Sequence, residues 1–203
     1  GLFLFQDFFD GTLRRIDIQT GKEIWRFKFN RRFTSRFYKQ VSDDLLLATE
    51  DYDTEHPIDK RYELLGINLA TGELKYRSQD SHFWQYVYSE AYGKLFGIYG
   101  QTFQAVDPHS GKILSRKKIE GLESFVSGNQ SITDNNLYFV TMKPEVGCFN
   151  LDSEQLEYIQ KIKVDETKVS MRKPLNDRPV VSHNKLFVKD NSGVLHIYEK
   201  ARS

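Results

Sequence analysis

The side chains of this 203-residue chain that could bind metal or serve as acid, base or nucleophile are thinly spread. Its five histidines, His56, His82, His109, His183 and His196, fall one to a segment, and none sits in an HxxxH, HExxH or paired-cysteine spacing that would close a zinc site. The single cysteine, Cys148, lies in the strand-like Val146-Gly147-Cys148-Phe149 and reads as a small buried apolar residue rather than an activated thiol. Asp51, Asp53 and Glu55 alternate carboxylates as a calcium loop does, yet the turn glycine and the terminal bidentate glutamate of such a loop are missing. No G-x-S-x-G elbow and no glycine-rich phosphate cradle occurs. No catalytic residue, metal or cofactor is expected.

Chemistry for holding another protein is better represented. The segment Asn30 to Arg36 is basic through Arg31, Arg32 and Arg36; Glu50 to Arg61 is acidic through Asp51, Asp53 and Glu55; Asp165 to Asn176 mixes acids with Lys168 and Arg172. Patches of both signs can steer and register a charged protein partner. Trp84, within the alternately aromatic Ser81 to Tyr88, could anchor such an interface. These nine residues form the expected partner-binding set. Nucleic acid is not expected, because 29 basic and 28 acidic residues leave a net charge of only +1. No run approaches the roughly 18 apolar residues of a membrane-spanning helix.

The elements that position these segments repeat. Leu13 to Lys22, Leu64 to Glu73 and Phe103 to Lys112 each run from an aliphatic strand through Asp17, Asn68 or Asp107 into a Thr/Ser-Gly turn. Their glycines, Gly21, Gly72 and Gly111, fall 51 and 39 residues apart, the spacing of propeller blades rather than helical repeats. Ser42-Asp43-Asp44, Tyr92-Gly93-Lys94, Asp134-Asn135-Asn136 and His183-Asn184-Lys185 are hairpin signals, each leading into an apolar strand. Naming the strands of a repeat A to D, these are A–B turns and the Thr/Ser-Gly turns are C–D turns, the fourth of which has decayed to Asp152-Ser153-Glu154-Gln155. The chain opens on a B strand, Leu2 to Phe5, and its last strand is a C strand, Val194 to Tyr198. Three strands, then three sets of four, then three more predict an all-β propeller of about five four-stranded antiparallel blades, incomplete or unusually closed. One domain spans 1–203, with repeats near 1–36, 37–80, 81–121, 122–177 and 178–203. In such blades the D–A and B–C connections share one face, which places the charged segments together around the axis.

The stretch Asp10-Gly11-Thr12-Leu13 through Asp17 to Thr20-Gly21-Lys22-Glu23-Ile24-Trp25 resembles the repeat of the quinoprotein-type (PQQ-like) β-propellers, relatives in shape of the WD-repeat propellers. The second and third repeats keep the turn, with Tyr76 or Ser115 where Trp25 stands; the last two match by position. The quinoprotein enzymes hold their cofactor with calcium in a larger propeller, often with an adjacent cysteine pair. With about half that length and one cysteine, the resemblance implies the fold without the cofactor.

The expectation is a non-enzymatic protein-binding propeller, such as a cytosolic inhibitor or immunity protein neutralising a toxin. The alternatives are a lectin-type propeller, a periplasmic assembly scaffold and a small-propeller enzyme with carboxylates near the axis. Gly1 to Phe5 lacks the basic start and cleavage site of a signal peptide, so the cytoplasm is expected, with a periplasmic or secreted chain whose signal has been removed as the alternative.

Overall fold

The computed structural model describes residues 3–7, 11–29, 33–51, 62–78, 85–165, 167, 168, 174, 175 and 177–199, without the side chains of 3–7, 33–37, 45–51, 62, 127 and 128. Among these residues every regular element is a strand. The first sheet holds β1 (Phe3–Asp7), β2 (Thr12–Ile16) and β3 (Glu23–Lys28). The second holds β4 (Phe33–Val41), β5 (Asp44–Asp51), β6 (Tyr62–Asn68) and β7 (Leu74–Ser78). The third holds β8 (Val87–Ser89), β9 (Lys94–Tyr99), β10 (Thr102–Val106) and β11 (Ile113–Lys118). The fourth holds β12 (Val126–Thr133), β13 (Asn136–Thr141), β14 (Glu145–Asn150) and β15 (Gln155–Lys161). The fifth holds β16 (Val180–Ser182), β17 (Lys185–Lys189) and β18 (Leu195–Glu199). Each sheet is an antiparallel meander in chain order, and the expected succession of three, four, four, four and three strands is observed.

The short turns follow from residues that accept a left-handed backbone. Ser42, Asp134, His183 and Asn184 have φ between 50° and 61° in three of the A–B hairpins, and Gly93 has φ of 60° in the other. The C–D turns share a second device. Asp17 Oδ1 accepts hydrogen bonds from the Gln19 and Thr20 amides at 2.8 and 3.0 Å, and Asn68 Oδ1 accepts from Ala70 and Thr71 at the same distances. Gly21, Gly72 and Gly111 then turn the chain at φ of 67°, 77° and 70°. The fourth turn keeps this geometry although its glycine is gone: Asn150 Oδ1 accepts from Asp152 and Ser153, and Glu154 takes φ of 49°. The acceptor defines the turn, and a non-glycine residue tolerates the strained position at a cost of about 1 kcal/mol.

The chain divides into two compact units. The first contains residues 1–84 with the turn Val106–Lys112. Here Leu13, Trp25 and Phe29 of the first sheet pack against Leu65, Ile67 and Leu69 of the second. Trp25, four residues beyond Gly21, lies opposite Arg15 on β2. Its indole Nε1 donates to the Leu69 carbonyl at 2.7 Å, and Arg15 Nη1 donates to the same oxygen at 2.5 Å. The ring covers Gly72, where a Cβ would meet Trp25 Cδ2 at 2.7 Å. Tyr76, four residues beyond Gly72 and opposite Gly66, repeats this: its hydroxyl donates to the Pro108 carbonyl at 2.8 Å and its ring covers Gly111. Trp25 and Tyr76 are thus each seated on the C–D turn of the following repeat.

The second unit contains residues 85–105 and 113–203. Phe96, Ile98, Phe103 and Ala105 pack against Leu137, Phe139, Phe149 and Leu151, with Phe103 and Phe149 stacked at 4.5 Å between ring centroids. Val140, Val146 and Ile162 pack against Leu175, Leu186 and Val188. The residue in the Trp25 position is Ser115, and the joint becomes polar: its hydroxyl donates to Glu154 Oε2 at 3.1 Å and Lys117 Nζ lies 2.9 Å from the same oxygen.

These joints separate the two roles of a turn glycine. Gly21→Ala carries only the left-handed strain, because no described heavy atom lies within 4 Å of the added Cβ, and is expected to lower stability by about 1 kcal/mol. Gly72→Ala adds a clash with the indole and is expected to cost at least about 2 kcal/mol. Urea unfolding of both variants checks the difference; equal losses would show that the indole contributes nothing at the turn.

Candidate interaction surface

Most of the expected partner-binding set, Arg31, Arg32, Asp53, Glu55, Trp84 and Arg172, lies outside the described residues. The backbone of Arg36 and Asp51 is described. Arg36 is the extra residue of a bulge in β4, between the pairs Ser35↔Thr49 and Phe37↔Ala48, and Asp51 pairs with Phe33 at the open end of the same hairpin. A bulge re-aims the strand that carries it, so the two charged segments enter from one locally twisted hairpin end. In the second unit Lys168 is exposed and tied to its own loop, its Nζ 3.1 Å from Asp165 Oδ2 while Asp165 Oδ1 accepts from the Thr167 amide and hydroxyl.

Titratable groups converge at the β17–β18 connection. Asp190 Oδ1 accepts from the Ser192 amide and hydroxyl and from the Val194 amide at 2.7–3.0 Å, and Oδ2 lies 2.9 Å from His196 Nε2. Burial opposes ionisation of Asp190, but the bonds from His196, Ser192 and Val194 outweigh it and hold its pKa down to about 2. Ser192 bonds the carboxylate rather than the imidazole, so this is a loop clamp and not a nucleophile–base pair. Among the described residues no three metal-ligating side chains cluster. No helix there is long and apolar enough to cross a membrane.

A cleft of about 450 Å³ lies between the fourth and fifth sheets, bounded by Tyr138, Tyr158 and Tyr198, with Asn136, Glu157 and Lys185 at its polar parts. Tyr138, Cys148 and Tyr158 form one row across β13, β14 and β15. Burial, then Cys148 and Glu157, pushes the Tyr158 phenol up to about 12, and burial first raises Tyr138 as well. Cys148 itself is buried, as its sequence context implies, with Sγ 3.5 Å from Glu157 Oε2. The Asn136 side-chain oxygen is shielded from solvent and has no hydrogen-bond partner among the described residues. A second, more polar cleft of about 410 Å³ runs along Lys117, Lys118, Glu154 and Leu156.

The fifth sheet presents two unlike faces. Val181, Leu186, Val188 and Tyr198 turn toward the fourth sheet. On the other face Val180, Phe187 and Ile197 form one cross-strand row with Leu195 beside it; Val180 and Ile197 are 55% exposed and Leu195 is 53% exposed. Sequence reasoning passed over both this face and the tyrosine cleft. The signal for Tyr158 was present, since it follows Glu154 by four residues as Trp25 follows Gly21, but the missing glycine hid the register.

No family model matches the chain, and no curated protein matches it. Solved structures do. BamB from Moraxella catarrhalis aligns over 98% of this chain and 70% of its own, at 11% identity and a TM-score of 0.61. Saccharomyces cerevisiae Sqt1 aligns over 98% of this chain and 55% of its own, at 12% identity and a TM-score of 0.68. A europium-containing methanol dehydrogenase aligns over 81% of this chain and 40% of its own, at 14% identity and a TM-score of 0.59. The fold is that of a β-propeller. At these identities the likeness shows the fold alone. This chain spans a little over half of Sqt1 and less than half of the dehydrogenase. Each four-stranded sheet is a blade, and the first and fifth blades contribute three described strands each.

The Asp190 clamp in the fifth blade carries a pH signature. A carboxylate held at about 2 against an ordinary 3.8 contributes stability that is complete above about pH 4 and is lost as pH falls through about 2. Asp190→Ala is expected to cost about 1–3 kcal/mol at pH 7 and to flatten the acid limb of the melting curve between about pH 4 and 2. Thermal melts of both proteins across that range check this.

Proposed function

We propose that this chain is a protein-binding propeller rather than an enzyme. The observation that supports it best is the exposed apolar row Val180, Ile197 and Leu195 on the outer face of the fifth blade, rimmed by the charged Lys185, Lys189 and Glu199. Contiguous aliphatic side chains rimmed by charge mark a surface made for a protein contact, because leaving them in water forgoes about 25 cal/mol per Å². The charged segments with Arg31, Arg32, Arg36, Asp51, Asp53 and Glu55 would add electrostatic registration. The narrower reading is a cytoplasmic inhibitor or immunity protein that covers a cognate enzyme or toxin, and it rests on that charge pattern alone.

Affinity capture from the native host, followed by mass spectrometry and sizing, tests the reading. The expected result is a stoichiometric protein complex that Ile197→Lys weakens at least about tenfold. The triple variant Arg31→Ala, Arg32→Ala, Arg36→Ala is expected to slow association and reduce its salt dependence. A chain that remains alone in every extract, or a partner indifferent to Ile197→Lys, overturns the proposal.

A further inference from the structure

The loop face of the second unit carries an aromatic corner at the junction of the third and fourth blades. Phe125 closes the connection between them and is 46% exposed, whereas among the described side chains every other phenylalanine is buried or half-buried. Its ring meets Tyr99 edge to face, with 5.0 Å between centroids and 80° between planes, and rests on Gly100, where an added Cβ would stand 3.3 Å from the nearest ring carbon. Hydrogen bonds to two neighbouring connections hold this corner in place. Gly100 and Val126 exchange backbone bonds at 2.9 and 3.2 Å, the Met142 amide donates to the Phe125 carbonyl at 2.7 Å, and Gln101 Nε2 donates to the Glu123 carbonyl at 2.8 Å. Met142, 39% exposed, adds thioether surface at the next connection. Burial alternates across residues 122–126, so Glu123 and Phe125 both reach into solvent while Leu122, Ser124 and Val126 turn inward. The connection 119–125 also carries Glu120 and no basic residue, and among the described residues neither glutamate forms an ion pair.

We propose that this corner binds an arginine side chain of a partner protein, with its guanidinium stacked on Phe125 and hydrogen-bonded to Glu123. The inference deepens the protein-binding reading and rests on it. An electron-rich ring face attracts a cation, and the planar guanidinium both stacks on that face and donates paired N–H groups to a carboxylate. Glu123 and Phe125 are two residues apart, at most about 7 Å along the chain, a span that one arginine head group covers. An aliphatic side chain would gain the ring but leave the carboxylates unanswered, and an acidic one would be repelled by them. Two glutamates against the exposed Lys143 of the facing connection leave the corner acidic. Because its hydrogen bonds already fix the loop, little ordering entropy is lost when the ligand arrives.

The probe is N-acetyl-arginine N-methylamide, titrated into the isotope-labelled full chain and followed by amide chemical shifts. Saturable shifts are expected at Gly100, Phe125, Val126 and Met142, with a dissociation constant on the order of millimolar. The citrulline analogue, which keeps the shape and lacks the charge, is expected to bind at least about fivefold more weakly. Phe125→Leu and Glu123→Gln are each expected to weaken arginine binding about two- to fivefold, and the double variant about tenfold. Both substitutions change exposed side chains, and the amide spectrum itself verifies that the fold is kept. In a captured complex the double variant is expected to weaken partner binding at least about tenfold. No saturable shift at tens of millimolar probe, equal affinity for the citrulline analogue or for N-acetyl-leucine N-methylamide, or binding unchanged in the double variant each overturns the inference. The titration needs no partner, which keeps the two readings apart. A chain that captures its partner through Ile197 and does not bind the arginine probe overturns this inference alone; a corner that binds the probe in a chain with no partner in any extract overturns the reading on which the inference rests.

Discussion

An aromatic ring seated on the turn of the next repeat is the contact from which the rest of this structure is organised. The indole of Trp25 reaches the Leu69 carbonyl and lies flat over Gly72, so one side chain both donates a buried hydrogen bond and fixes the separation of two sheets. Backbone hydrogen bonds between the described sheets are few, the pair exchanged by Gly100 and Val126 being one case; apolar packing is non-directional and alone would let the sheets slide. The directed bond at each joint supplies the register that packing lacks. The device weakens along the chain, from indole to phenol at Tyr76 and then to the small hydroxyl of Ser115, with an ion pair between Lys117 and Glu154 taking over where the ring is lost.

How far the sequence disclosed this follows from what each signal encodes. Hairpin turns are local: Ser42-Asp43, Tyr92-Gly93, Asp134-Asn135 and His183-Asn184 carry their geometry in residues that tolerate positive φ, and all four appear where the sequence places them. Strand count followed from the turns. The fourth C–D turn looked decayed because glycine was taken as its mark, whereas the Asx acceptor does the folding; Asn150 preserves that acceptor and Glu154 bears the strain. Long-range partners were not legible. Nothing local to Trp25 or Tyr76 names the carbonyl that its side chain reaches, because that oxygen lies 44 or 32 residues further on. The exposed row of Val180, Ile197 and Leu195 reads in the sequence as ordinary strand alternation, since the pattern of a buried face and that of an uncovered one are the same.

The charged loops and the apolar blade face imply different kinds of contact. Loop charges act at a distance and mostly set how fast a partner arrives. Aliphatic rows and free strand edges act only at contact and set how long it stays. A chain that carries both can separate recognition from retention, which suits a protein whose fold holds a rigid frame and varies its connections.

The three described contacts at the C–D turns point the same way along the chain, while Gln130 of the fourth sheet reaches back to the Ile98 backbone of the third. The docking side chain belongs to the earlier repeat and its acceptor to the later one, 44, 32 and 39 residues downstream for Trp25, Tyr76 and Ser115. During synthesis, which proceeds at about 5–20 residues per second, a repeat can form its own hairpins as it emerges but cannot lock until its successor's turn has left the ribosome. Each blade therefore waits a few seconds, unsealed, on the one behind it. Closure of these three contacts is vectorial, and at each of them the growing end is for a time a sheet whose docking side chain has nowhere yet to sit.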